Sequence, residues 1–133
     1  MSIKVDWYHE TDHSILCWHF DGRWEWSHLS AADKETKRLA ANTPGEPLDL
    51  IIDVRQMGLV PMNIASGLRR MRNSDQSFRG GGMNMIVGAD YYLKLLWQFM
   101  SPDFPPQWNV HFVESYEEAF RLIQDARAVV ERV

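Results

Sequence analysis

Few residues in this chain combine a reactive type with a telling position. Asp53 closes the run Leu48-Asp49-Leu50-Ile51-Ile52-Asp53-Val54, and the carboxyl end of a buried strand is where open α/β sheets present ligand-binding groups. Its plainer role is to accept hydrogen bonds from loop amides around Gly58, which makes Asp53 a loop anchor. Five histidines, His9, His13, His19, His28 and His111, raise the question of a metal. None is paired at i, i+4 on a helix or set beside a carboxylate or cysteine at a ligand spacing, so no metal is expected. Cys17 is the only cysteine, which excludes an internal disulfide and a cysteine-based zinc cluster and fits a reducing compartment. Arg79-Gly80-Gly81-Gly82 has the composition of a phosphate cradle, yet it precedes a strand instead of following one and opening a helix. No Ser-His-Asp or Cys-His arrangement is recognisable. The expectation is a protein with no catalytic residue and no cofactor.

The elements that position these residues follow from periodicity. Ile3, Val5 and Trp7 alternate with Lys4, Asp6 and Tyr8, and Ile15 to Phe20 resumes the pattern after a polar turn, predicting an antiparallel hairpin. A first helix, capped by Ser27 or Ser30, carries Leu29, Ala32, Thr36, Leu39 and Ala40 on one face. The run from Leu48 to Val54 is apolar on both alternating faces, so it is the central strand, with a loop from Arg55 to Met62 behind it. A second helix starts at Asn63 and ends near Asn73. Met83 to Gly88 is a short strand, Asp90 caps a third helix reaching Met100, and Val110 to Val113 is the last strand. Ser115 and Glu118 form a capping box opening a final helix with Tyr116, Ala119, Ile123, Ala126 and Val130 on one face. Helices between strands favour parallel crossovers, so the expectation is one α/β domain over residues 1–133 with a mixed five-stranded sheet and four helices.

That order, the Gly22-Arg23-Trp24 turn into the first helix, the strand ending in Asp53 and the Ser115-Tyr116-Glu117-Glu118-Ala119 start of the last helix together resemble the STAS superfamily. Its members include anti-anti-sigma factors and the cytoplasmic domains of sulfate transporters. The resemblance implies a regulatory protein-binding module like the anti-sigma factor antagonists. In those proteins an Asp-Ser-Ser-Gly-like motif opens the helix after the central strand, and its serine is phosphorylated by a partner kinase. Here only Ser66-Gly67-Leu68 matches, three residues further from Asp53 than that motif lies, with Ile64 and Ala65 in place of the acidic residue. Ser66 is thus the one position the resemblance offers as a phosphoacceptor, and a small exposed helix residue is the competing role.

Surfaces carry the remaining expectations. On the third helix Leu93, Leu96, Trp97 and Met100 form one stripe, and Tyr92, Leu95 and Phe99 form a second beside it. One sheet face needs only one stripe. The second marks a partner-binding surface if exposed, or is covered from within by Phe104 and Trp108 of the proline-rich segment that follows. Arg69 and Arg72 share a side of the second helix and suit an acidic partner, or form a solvated face. Trp7, Trp18, Trp24 and Trp26 crowd the first part of the chain, either as a binding patch or as cover for a sheet face.

Composition narrows the partners. The formal charge of -4 gives no general attraction to nucleic acid or acidic membranes. The start, MSIKVDWYHE, lacks an apolar signal segment and no run is long enough to span a membrane, so a cytoplasmic protein without a stable membrane anchor is expected. The partner is then another protein or a second copy, as a homodimer. The alternative is a carrier of a small apolar ligand or lipid, held near the tryptophans or between the third helix and its proline-rich cover.

Overall fold

The computed structural model describes residues 3–11, 13–41, 48–61, 63–64, 66–67, 82–103 and 109–131. Its elements run β1 (Ile3–Trp7), β2 (Ile15–Gly22), α1 (Trp26–Ala41), β3 (Asp49–Met57), β4 (Asn84–Val87), α2 (Tyr91–Met100), a 3-10 turn (Ser101–Asp103), β5 (Val110–Val113) and α3 (Tyr116–Glu131). The five strands form one sheet in the order β1-β2-β3-β4-β5, antiparallel only between β1 and β2. The mixed sheet is as expected, with the doubly apolar strand at its centre.

Three α-helices stand among the described residues where four are expected. The expected second helix falls largely outside those residues; at its start the Gly67 N–H donates to the Asn63 carbonyl at 3.0 Å, a single helical turn. The expected third and last helices are α2 and α3.

Strand order explains which helix covers which face. Each parallel crossover steps one strand in the same direction, and right-handed crossovers in one direction place their helices on one side. Accordingly α1 packs Leu29 and Ala32 against Ile3, Trp18, Phe20 and Trp24, with Ile52 and Val54 beside them. The opposite face, with Ile15, Cys17, Ile51, Met85, Val87 and Val113, is left to α3, which buries Ala119 and Ile123 there.

Two boundaries differ from expectation. The central strand continues through Met57, because Gln56 and Met57 pair with Asp21 and Gly22 across a register shift in β2. Polar Arg55 and Gln56 look like loop residues in the chain, yet at a strand end they have water to point into. Neither Ser27 nor Ser30 caps α1, which begins at Trp26. Instead the Glu25 N–H donates to His28 Nδ1 at 2.8 Å while the Glu25 carbonyl accepts from the His28 and Leu29 amides. An imidazole therefore performs the reciprocal half of a capping box. Asp90 caps α2 as expected, accepting from the Leu93 amide at 2.8 Å, and Ser115 Oγ accepts from Glu118 at the start of α3.

Candidate functional site

Asp53 lies beneath the first turn of α3, only 6 % exposed. Its Oδ1 accepts from the Arg55 amide and Nε, each at 3.0 Å, and its Oδ2 accepts from Arg55 Nη2 at 2.9 Å and from the Tyr116 hydroxyl at 3.0 Å. The Arg55 guanidinium also lies over the Tyr116 ring, 5.2 Å from its centroid. His19, paired with Asp53 across the β2–β3 ladder, sets Nδ1 3.4 Å from Oδ2. The Tyr116 oxygen is 3.1 Å from both ring nitrogens of His19. An oxygen equidistant from both nitrogens faces the carbon between them and aims at neither lone pair, so the hydroxyl proton goes to Asp53.

Asp53 is therefore not the anchor of the Gly58 loop. The Gly58 amide donates to the Gly22 carbonyl at 2.8 Å, so the loop is tied to the end of β2. What Asp53 anchors is its own strand end and the start of α3.

The electrostatics of this cluster are set by burial and by its own hydrogen bonds. Burial raises the Asp53 carboxyl, but the hydrogen bonds from Arg55 and Tyr116 outweigh it and hold the group down at about 2. Burial, then the bond to Asp53, pushes the Tyr116 hydroxyl well above its ordinary value. Cys17, beneath them, is pushed up to about 12 by burial and then by the charges of Asp6 and Asp53. Near neutral pH Asp53 is a saturated carboxylate, Tyr116 a locked donor and Cys17 an inert thiol.

A matching contact that sequence reasoning missed lies four residues back on the same strand face. Asp49 accepts from the Met83 amide at 2.8 Å and from Arg127 Nε and Nη2 at 3.1 and 2.6 Å. Arg127 also donates from Nη1 to Ser14 Oγ at 3.0 Å. The signal was present as parity: Asp49 and Asp53 share a face of β3, and Tyr116 and Arg127, about three turns apart, share a face of α3.

The surface of α2 behaves differently. Its inner stripe turns to the sheet, with Met100 buried and Leu93, Leu96 and Trp97 half-buried. The outer stripe is open: Tyr92 is 59 % exposed, Leu95 43 % and Phe99 81 %. Leu59, 77 % exposed, adjoins it by sharing a crevice with Tyr92, Leu93 and Arg55. Phe104, Arg69 and Arg72 lie outside the described residues, as does Trp108. Ser66 is described and exposed, and its Oγ donates to the Asn63 carbonyl at 3.1 Å.

Of the four early tryptophans three gather and one does not. Trp18 and Trp24 are buried in one cluster, with Trp26 edge-on to Trp24 at 5.4 Å. Trp7 stands apart, stacked on His13 at 4.5 Å. Trp18 Nε1 donates to Thr36 Oγ1 at 2.9 Å, whereas Trp24 Nε1 is the buried side-chain donor without an acceptor among the described residues. Between this cluster, the sheet and the inner stripe of α2 lies a half-open groove with about 170 Å³ of space, whose walls among the described residues include Trp18, Trp24, Ile52, Ile86, Trp97 and Phe112. Among the described residues no three His, Cys, Asp or Glu side chains are grouped to hold a metal ion, and no helix is long and apolar enough to cross a membrane.

No protein-family model matches the chain, and no curated protein matches it. Among solved structures it is similar to an uncharacterised protein of the DUF3478 family from Shewanella loihica PV-4, described as having a SpoIIAA-like fold. The identity is 12 %, the TM-score 0.66, and the match covers 92 % of this chain and 94 % of that one.

Proposed function

We propose, from the premise that this chain has a SpoIIAA-like fold of the STAS type, that it is a non-catalytic regulatory module that binds a protein partner or a second copy of itself. One observation carries the reading: the outer stripe of α2 presents Tyr92, Leu95 and Phe99 to solvent beside exposed Leu59. Aromatic side chains clustered on one open face are the usual anchors at the centre of protein interfaces. The locked Asp53–Tyr116–Arg55 cluster supports the absence of catalysis, and the regulatory part rests on likeness of fold. The test is affinity capture from native extract together with sedimentation of the purified chain. Phe99→Glu should abolish the captured partner or the self-association, whereas Val129→Glu, at an exposed position on α3, should leave it intact. Equal behaviour of the two variants sinks the reading.

A second reading, a carrier of a small apolar molecule, is favoured by the groove. Among the described residues its walls are apolar side chains, apart from Asn84 and the tryptophan indoles, the kind of surface that takes up an apolar ligand. Native mass spectrometry of the freshly purified chain tests it, a co-purifying mass supporting it and a bare chain opposing it.

A further inference from the structure

We infer that α2 binds a second copy of this chain, seated antiparallel on the same helix about a two-fold axis at Leu95. Such a dimer is one form of the interface reading and rests on it. Tyr91, Leu95 and Phe99 stand at i, i+4 and i+8, so they form a single ridge along the helix, about 12 Å from end to end. Tyr91 is 75 % exposed and Phe99 81 %, with Leu95 open between them. The ridge reads aromatic, leucine, aromatic in either direction. A two-fold interface requires a surface that is its own complement, and such a ridge is one. Two helices that interleave their i, i+4 ridges cross at about −50°, the commonest packing class. With Leu95 on the axis, Tyr91 of each copy then lies beside Phe99 of the other, and the two Leu95 side chains meet between them.

Charge points the same way. A copy that meets itself presents every charge twice, so a self-interface favours an uncharged face. Residues 91–100 include one charged side chain, Lys94, and it is paired with Glu114 at 3.8 Å. Area sets the strength. At roughly 150–250 Å² to a ring, the exposed fractions of Tyr91, Tyr92 and Phe99 leave about 400 Å² of ring surface open per copy. Leu95 and Leu59 bring the total for two copies to about 1,000 Å², the lower bound for a specific interface. The dimer is therefore reversible, half formed at a concentration on the order of 10–100 μM.

Sedimentation equilibrium of the full chain tests this, with Tyr91→Lys, with Phe99→Glu and with an equimolar mixture of the two. The wild type should dimerise, and Val129→Glu should dimerise equally. Each α2 variant alone should associate at least about tenfold more weakly, because it sets a charge against a ring of the partner. The mixture should restore association, since the introduced lysine of one copy then faces the introduced glutamate of the other. Single variants that associate like the wild type overturn the location, and a mixture no stronger than the single variants overturns the antiparallel register. A wild type that stays monomeric up to about 1 mM overturns the second copy. If native extract then yields a partner that Phe99→Glu loses, the interface reading survives without this dimer; if it yields none, both fall. Should either variant not fold, Leu95→Cys decides: on air oxidation it should cross-link two copies through the axis, whereas Val129→Cys should not, and Cys17 is buried. Absence of that cross-link overturns the axis.

Discussion

Asp49 and Asp53 stand on one face of β3 and hold α3 at two points, Asp53 through Tyr116 in its first turn and Asp49 through Arg127 three turns on. The helix that, among the described residues, covers one sheet face is thereby tied to the central strand. Apolar contact through Ala119 and Ile123 supplies the burial, and the two carboxylates fix rotation and register.

Asp53 gives the protein an acid-sensitive stability. Its folded value of about 2 lies below the ordinary 3.8, so the stabilisation is complete above pH ~4 and is lost as pH falls through ~2. A shift of this size amounts to at most about 2 kcal/mol, less whatever water screens from the half-exposed Arg55. Urea denaturation across that range should show the loss in the wild type and a flatter acid limb in Asp53→Asn. Parallel acid limbs would count against this account.

Arg127→Ala strands the Asp49 carboxylate without its cation and removes the bond to Ser14. Unfolding should cost about 3 kcal/mol less, because a mostly buried charge is left unpaired. Arg127→Lys should recover only part of this, since an ammonium cannot make the two-pronged contact. A double cycle with Asp49→Asn should show coupling of about 1–3 kcal/mol, and additivity would refute the pairing.

Gly88 tests the placement of Arg55. It has a φ of +77°, and a methyl group there would lie 2.2 Å from Arg55 Cγ. Gly88→Ala should destabilise by about 1–3 kcal/mol from the backbone alone. By pushing Arg55 aside it should also raise the Asp53 carboxyl, which carbon NMR of the side chain would read. An unmoved titration would mean that Arg55 does not govern Asp53.

The outer stripe of α2 should be dispensable for folding. Tyr92→Ala and Phe99→Ala should change stability by no more than about 0.5 kcal/mol, as exposed substitutions do, while weakening partner binding or self-association. A large loss of melting temperature would show that these rings are structural.

Ser66 donates its hydroxyl proton to Asn63 within one helical turn, a bond that a local structural serine makes. Ser66→Ala and Ser66→Asp should bind a partner with equal affinity. A tenfold difference between them would restore the phosphorylation switch.

The architecture was largely readable because alternation and caps are local: the β1–β2 hairpin, the doubly apolar β3, Asp90 and the Ser115–Glu118 box each declare themselves within a few residues. The role of Asp53 was not, because its partners Arg55, Tyr116 and His19 meet only through a parallel register and a helix docked from the far end of the chain. Asp49 was hidden in the same way inside an apolar run. The exposed stripe of α2 was legible as an excess of apolar residues, although exposure itself is a tertiary fact. His28 as a cap escaped notice because histidine is not among the residues that ordinarily play that part.

The two faces of the sheet are held with unequal firmness. α3 is pinned at two buried carboxylates, whereas among the described residues α2 fully buries Met100, borders the apolar groove and carries a surface ion pair, Lys94 to Glu114 at 3.8 Å. Backbone amides of α2 should therefore exchange with solvent through local opening well below the global unfolding free energy, while those of α3 and β3 exchange only when the whole domain opens. The element that presents the open aromatic stripe is then the one expected to lift from the sheet while the rest stays folded.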